Sequence, residues 1–167
     1  PTEKSYIVTE AFYRNPTLQA INETVYAATW GTLHEGRRDH PEIGKLPQDF
    51  FSVYIRPARV TRQIQKLKDY LKEHLYKFAH QFNLELLIVE NALTIPLNLP
   101  LGLALTEFIA ETGYPVIAHH HDFHWERQRF MNNCVHDYIA AAFPPRLPSI
   151  RHVVINSIQA YQLASRT

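Results

Sequence analysis

The stretch "VIAHHHDFHWERQRF" (116–130) concentrates side chains able to do chemistry at neutral pH. Four of the ten histidines, His119, His120, His121 and His124, fall within six positions around Asp122, and Glu126, Arg127 and Arg129 follow. An imidazole can donate to a substrate hydroxyl or phosphate near neutral pH, and a guanidinium grips phosphate or carboxylate through two parallel hydrogen bonds. Along an extended segment side chains alternate, so His119 and His121 share one face and His120 points to the other. Asp122 and His124 could join them, yet none of the histidine spacings matches a zinc signature. No metal ligand set and no stoichiometric zinc site is therefore expected. Two readings stay open for the histidines: contact with a ligand, or packing at the end of a strand.

The neighbours divide in the same way. Trp125 fits a packing role at a loop-to-helix junction. Glu126, Arg127 and Arg129 read as the first turn of a helix, whose positive end favours the glutamate and opposes the arginines. Arg127 then either holds an anionic group or pairs with Asp122, Glu126 or Glu90. Paired acid and base work by Glu90 and Asp122 needs a proximity that spacing alone does not give.

These residues need a frame that brings them together. The run "LELLIV" (84–89), "PVIA" (115–118) and "HVVIN" (152–156) are short and apolar rather than alternating, as strands covered on both faces are. Between and after them, "LGLALTEFIAET" (101–112) with Gly113 at its end, "ERQRFMNNCVHDYIAAAF" (126–143) before two prolines, and "SIQAYQLASR" (157–166) capped by Ser157 read as helices. Strand and helix in alternation predict an α/β fold, a Rossmann-like parallel sheet with flanking helices. Ligands of such a sheet bind outside the carboxyl ends of its strands. Here those ends carry Glu90 and Asn91, the histidine block, and Asn156 with Ser157. Glu90, Asn91, His121, Asp122 and Asn156 are thus expected to line one cleft.

Residues 1–82 are harder to read. "NPTLQAINETVYAATW" predicts a helix with Asn15 as its cap, and "GTLHEGRRDHPEIGKLPQD" (31–49) reads as loop. After Pro57, Val60, Ile64, Leu67, Leu71, Leu75 and Phe78 form the apolar stripe of a longer helix, with Lys66, Lys68, Lys72 and Lys77 on a solvated face.

The chain has 167 residues, 46% of them hydrophobic, enough for one domain with a proper core. A net charge of +1 gives no electrostatic argument for nucleic acid or an anionic membrane as partner. The single Cys134 suits a reducing compartment, hence the cytoplasm. The most apolar stretch, 84–105, is interrupted by Glu85, Glu90, Asn91 and two prolines, so no transmembrane segment is expected. No Gly-rich phosphate loop of a common type occurs.

"LLIVENALTIPLNLPLGLALTEFIAETGYPVIAHHHDFHWERQRF", followed by "FPPRLP" and "HVVINS", resembles the N-terminal domain of retaining, two-domain (GT-B fold) glycosyltransferases. The likeness is greatest to the bacterial group 1 subset with an HHHDF-x-WER block, and it runs from about Leu84 to Arg166. It implies one half of a GT-B architecture, with this half holding the acceptor and a C-terminal domain or separate subunit holding most of the nucleotide-sugar. It implies hexosyl transfer with retention, with no cofactor and no metal. A histidine after an N-domain strand reaches the transferred sugar or its diphosphate in many such enzymes. His121 beside Asp122 takes that catalytic role here, with His119 and His120 as rivals. Glu90, Asn91, His119, His124, Arg127 and Asn156 are the expected substrate contacts. The family's Gly-rich first strand is not read before Pro1, and its C-terminal donor domain is not read in the sequence, so a fragment lacking both is expected. A fragment inactive by itself is the expectation. Two other readings remain: a non-catalytic binding or assembly module of the same half-fold, and a metal-dependent hydrolase using the histidine cluster.

Overall fold

A computed structural model describes residues 5–8 and 41–166 of the chain. Four strands, β1 (Ser5–Val8), β2 (Leu86–Glu90), β3 (Val116–His120) and β4 (Ile150–Val154), form one sheet in the order β1-β2-β3-β4. Every pairing is parallel. The three apolar runs read from the sequence are therefore strands of one parallel sheet, shifted by up to two residues. The strand at Ser5–Val8 escaped that reading: four residues are too short for a period to show.

Helices α1 (Pro41–Phe50), α2 (Ala58–Phe82), α3 (Leu99–Thr112), α4 (His136–Ala142) and α5 (Ser157–Arg166) accompany the sheet. The stripe of α2 is buried as its spacing requires, and its lower half packs with α3 against Leu87, Val89, Val116, Ala118 and Ile150 of the sheet. A second core joins the upper half of α2 to α1, α3 and α4 through Ile43, Phe50, Ile64, Leu103 and Phe143. Gly102 of α3 lies directly under the Phe143 ring, where a Cβ would stand 2.1 Å from its Cζ, so glycine sets the closeness of that contact. Asn98 caps α3 by accepting from the Leu101 amide at 3.1 Å, and Gly113 ends it at φ 68°.

Several expectations are corrected. Residues 41–50, all but the last within the expected loop, form α1: Ile43, Leu46 and Phe50 recur at helical spacing and are buried. Gly44 and Pro47 hide that period from composition; Pro47 removes one intrahelical hydrogen bond, and the packing of Ile43, Leu46 and Phe50 against α2 offsets that cost. The expected helix over 126–143 is two single 3₁₀ turns, His124–Glu126 and Gln128–Phe130, and then the short α4. Asn133 breaks the run, its side chain bonding to the Phe130 carbonyl and the Val135 amide. Asn156, not Ser157, caps α5, its Oδ1 accepting from the Gln159 amide at 2.9 Å. Lys68 and Lys72 are not on a solvated face. Lys68 is 8% exposed and bonds Glu107 at 2.6 Å, and Lys72 bridges Glu107 and Glu111 at 2.8 and 2.7 Å. Hydrogen bonds to those carboxylates raise the Lys72 pKa above its ordinary range. The helix expected after Asn15 lies outside the described residues.

Candidate functional site

The parallel pairing sends the ends of β2, β3 and β4 to one edge. Register sets Glu90 of β2 directly opposite His119 of β3. Both side chains then project from the same face of the sheet, the face opposite Val89 and Ala118. His119 Nδ1 lies 2.8 and 2.9 Å from the two Glu90 carboxylate oxygens. His121, two residues on, returns to that face, and its Nε2 stands 3.2 Å from Glu90 Oε2. The two imidazoles tilt against one another with centroids 4.7 Å apart. The set is graded in exposure: Glu90 and His119 are half-buried, while the His121 side chain is 54% exposed.

The loop after β2 fixes the loop after β3. Asn91 takes a left-handed backbone (φ 57°), and its Oδ1 accepts from the His121 amide at 2.8 Å. Its Nδ2 reaches toward Asp122 Oδ1 at 3.5 Å. The Thr94 carbonyl accepts from the His124 amide, and Glu126 Oε2 accepts from the Phe123 amide at 2.8 Å. Asp122 forms an ion pair with Arg127 through its Nε and Nη2. Arg127 sits between two 3₁₀ turns rather than in the first turn of an α-helix, so no helix dipole opposes it and the pair with Asp122 accounts for its place. From α5, Gln159 Nε2 donates to the His121 carbonyl at 2.9 Å and reaches Glu126 at 3.3 Å. Gln159 is buried, and its Oε1 has no hydrogen-bond partner among the described residues.

Glu90, Asn91, His119, His121, Asp122 and Arg127 thus form one bonded set. Asn156 forms no hydrogen bond with it among the described residues. Its side chain caps α5 and acts at one remove, by holding the helix that carries Gln159. His124 turns away, packing edge-on to Trp125, and burial lowers its pKa. Trp125 is a packing residue, as its setting suggested: it stacks on Phe123 at 4.3 Å and donates to Gln162 of α5. Gln159 and Thr94 had no legible signal. Each is an ordinary polar residue that gains meaning only from a neighbour across the sheet.

His120 belongs to the other face. It is fully buried, and its Nε2 lies 2.8 Å from His152 Nδ1. His152 Nε2 donates to the Pro145 carbonyl at 3.2 Å, which leaves its Nδ1 as the acceptor and assigns the proton of that contact to His120 Nε2. His120 Nδ1 is then a bare acceptor with no partner among the described residues. Burial, reinforced by repulsion from His152, pushes the His120 pKa down to about 3. It is a neutral core residue.

The edge therefore presents a carboxylate that orients two imidazoles, one of them open to solvent, beside a carboxylate–guanidinium pair. Such a set can bind hydroxyls, hold an anion, or accept a proton from a bound hydroxyl. Glu90, His119 and His121 each offer one ligand atom within 4.8 Å of the others, so they could also hold a metal ion. No helix among the described residues is long and apolar enough to cross a membrane.

Two curated proteins are similar to this chain, both named mannosylglucosylglycerate synthase. The protein of Thermotoga maritima is 31% identical over 142 residues, covering 81% of this chain and 31% of the relative. That of Petrotoga mobilis is 32% identical over 106 residues, covering 61% of this chain and 24% of the relative. The chain thus spans about a third or less of the length of the relatives it matches. No family model and no solved structure matches it. The similarity supports a relationship to glycosyltransferases.

Proposed function

We propose that this chain is the acceptor-side part of a glycosyltransferase of GT-B architecture that transfers a hexosyl unit with retention of configuration. The observation that carries the reading is the Glu90–His119–His121 set at the carboxyl edge of a parallel sheet, in a chain similar to two sugar-transferring synthases. In this reading Glu90 accepts from both imidazoles and fixes their rings. His121, the most exposed of the set, contacts the transferred sugar or its diphosphate. Asp122, steadied by Asn91 and Arg127, accepts from an acceptor hydroxyl, and His119 adds a second polar contact. A fixed polar edge of this kind lowers the barrier by positioning reactants and by stabilising charge that develops on the leaving group. The nucleotide-sugar is a co-substrate bound mainly by residues outside this chain. No chemical step is assigned to a metal.

The relatives' shared name joins mannose, glucose and glycerate. Mannosyl and glucosyl nucleoside diphosphates are therefore the first donors to try, with glycerate and glucosylglycerate as acceptors. The intact protein should form a glycoside whose anomeric configuration, read by proton NMR, matches that of the donor. The 167-residue chain alone should form none and should show no tight binding of the same donors in calorimetry. Absence of any product from the intact protein over this panel would favour a non-catalytic binding or assembly role. An inverted anomer would overturn the retaining reading.

A further inference from the structure

We infer that Glu90, His119 and His121 bind a divalent first-row transition ion, zinc fitting best. The inference rests on their geometry and does not depend on the glycosyl-transfer reading; a bound ion replaces the hydrogen bonds of His119 Nδ1 and His121 Nε2 to Glu90 and holds the same two rings in their place. Sequence spacing argues against such a site because it sees only the histidines, and the third ligand comes from the neighbouring strand. A strand and its continuation put His119 and His121 on one face, and the parallel register supplies Glu90 opposite the first of them.

His119 Nδ1 and His121 Nε2 both aim at Glu90 Oε2, at 2.8 and 3.2 Å, and the three ligand atoms lie within 4.8 Å of one another. Ligands about 2.0–2.1 Å from a tetrahedral zinc stand roughly 3.3–3.4 Å apart. Small side-chain adjustments reach that arrangement without moving the sheet. Two imidazoles and one carboxylate are the ligand chemistry of three-coordinate protein sites that leave a position open, and imidazole favours zinc, copper, nickel or iron over magnesium and calcium. The supports are in place as well. Asn91 and Gln159 hold the His121 backbone at its amide and its carbonyl, and the sheet holds His119. Because the His121 side chain is 54% exposed, the open position faces solvent and takes water or an anionic oxygen. The second histidine pair, His120 with His152, is spent on a hydrogen bond to each other and to Pro145, and so offers no competing set.

Titration of the metal-stripped protein with zinc in a calorimeter should show one site per chain, in the micromolar range or tighter. Cobalt should give the visible absorption of a four- or five-coordinate ion. His121→Ala removes an exposed side chain, should leave the melting temperature unchanged, and should weaken zinc binding tenfold or more. Glu90→Gln should do the same, while His74→Ala on the outer side of α2 should leave it unchanged. Stoichiometric binding that survives His121→Ala and Glu90→Gln, no binding at all, or a cobalt spectrum of the fully hydrated ion would overturn the assignment. Transfer activity is not read in any of these arms, so a failure here leaves the glycosyl-transfer proposal standing, and the reverse also holds.

Discussion

The two faces of β3 at its carboxyl end carry the same residue type and put it to opposite uses. His119, with His121 just beyond the strand, leans on a carboxylate at a half-open edge. His120, between them, is fully buried against His152 and Phe123. One residue of offset in an extended chain separates a chemically available imidazole from one kept neutral by burial. Partner and solvent, more than the side chain itself, decide what a histidine does.

Acid is the largest perturbation that should separate the faces. The His120 pKa falls from 6.5 when unfolded to about 3 when folded, and burial lowers those of His124 and His152 as well. Their contribution to stability is complete above about pH 6.5 and is lost as pH falls from there toward 3. For His120 alone the slope is roughly 1.4 kcal/mol per pH unit, so the unfolding free energy from denaturant titrations should fall by about 3 kcal/mol between pH 6.5 and 4. A flat profile over that window would put His120 in contact with water. Next in size, His120→Ala should cost about 2–4 kcal/mol at pH 7, since it opens a cavity and leaves His152 Nδ1 without its donor. The same variant should lose most of the acid slope. Gln159→Leu keeps the bulk of the side chain but releases the His121 carbonyl, and about 1–2 kcal/mol is expected from thermal melts. Smallest is Arg127→Lys. The pair with Asp122 is partly exposed, so a loss below about 1 kcal/mol is expected and acceptor and donor constants should shift less than tenfold.

The parallel sheet was legible because its strands read as apolar runs, although burial alternates along each of them rather than covering both faces as expected, and the alternation of His119, His120 and His121 follows from strand geometry alone. The carboxyl-edge rule then pointed to Glu90 and Asn91 with the histidine loop. Other features depended on contacts that no local period records. Helix α1 is set by the packing of Ile43, Leu46 and Phe50 against α2 in spite of Gly44 and Pro47. The segment 126–143 has helical composition, yet Asn133 trades helix for local hydrogen bonds. Lys68 and Lys72 look like a solvated face until Glu107 and Glu111 of α3 arrive beside them. The link of Gln159 to His121 spans 38 positions and leaves no trace in spacing.

The central claim is that the open face of β3 carries the chemistry and the closed face carries stability. The most direct test is a paired measurement on the intact protein: kcat/KM for sugar transfer and the melting temperature, for His121→Ala and His120→Ala side by side. The account predicts that His121→Ala lowers kcat/KM about a hundredfold or more with melting unchanged. His120→Ala should lower the melting temperature while transfer, assayed well below it, stays near the parent value. Equal losses of transfer in the two variants, or a larger loss for His120→Ala in the folded protein, would contradict it.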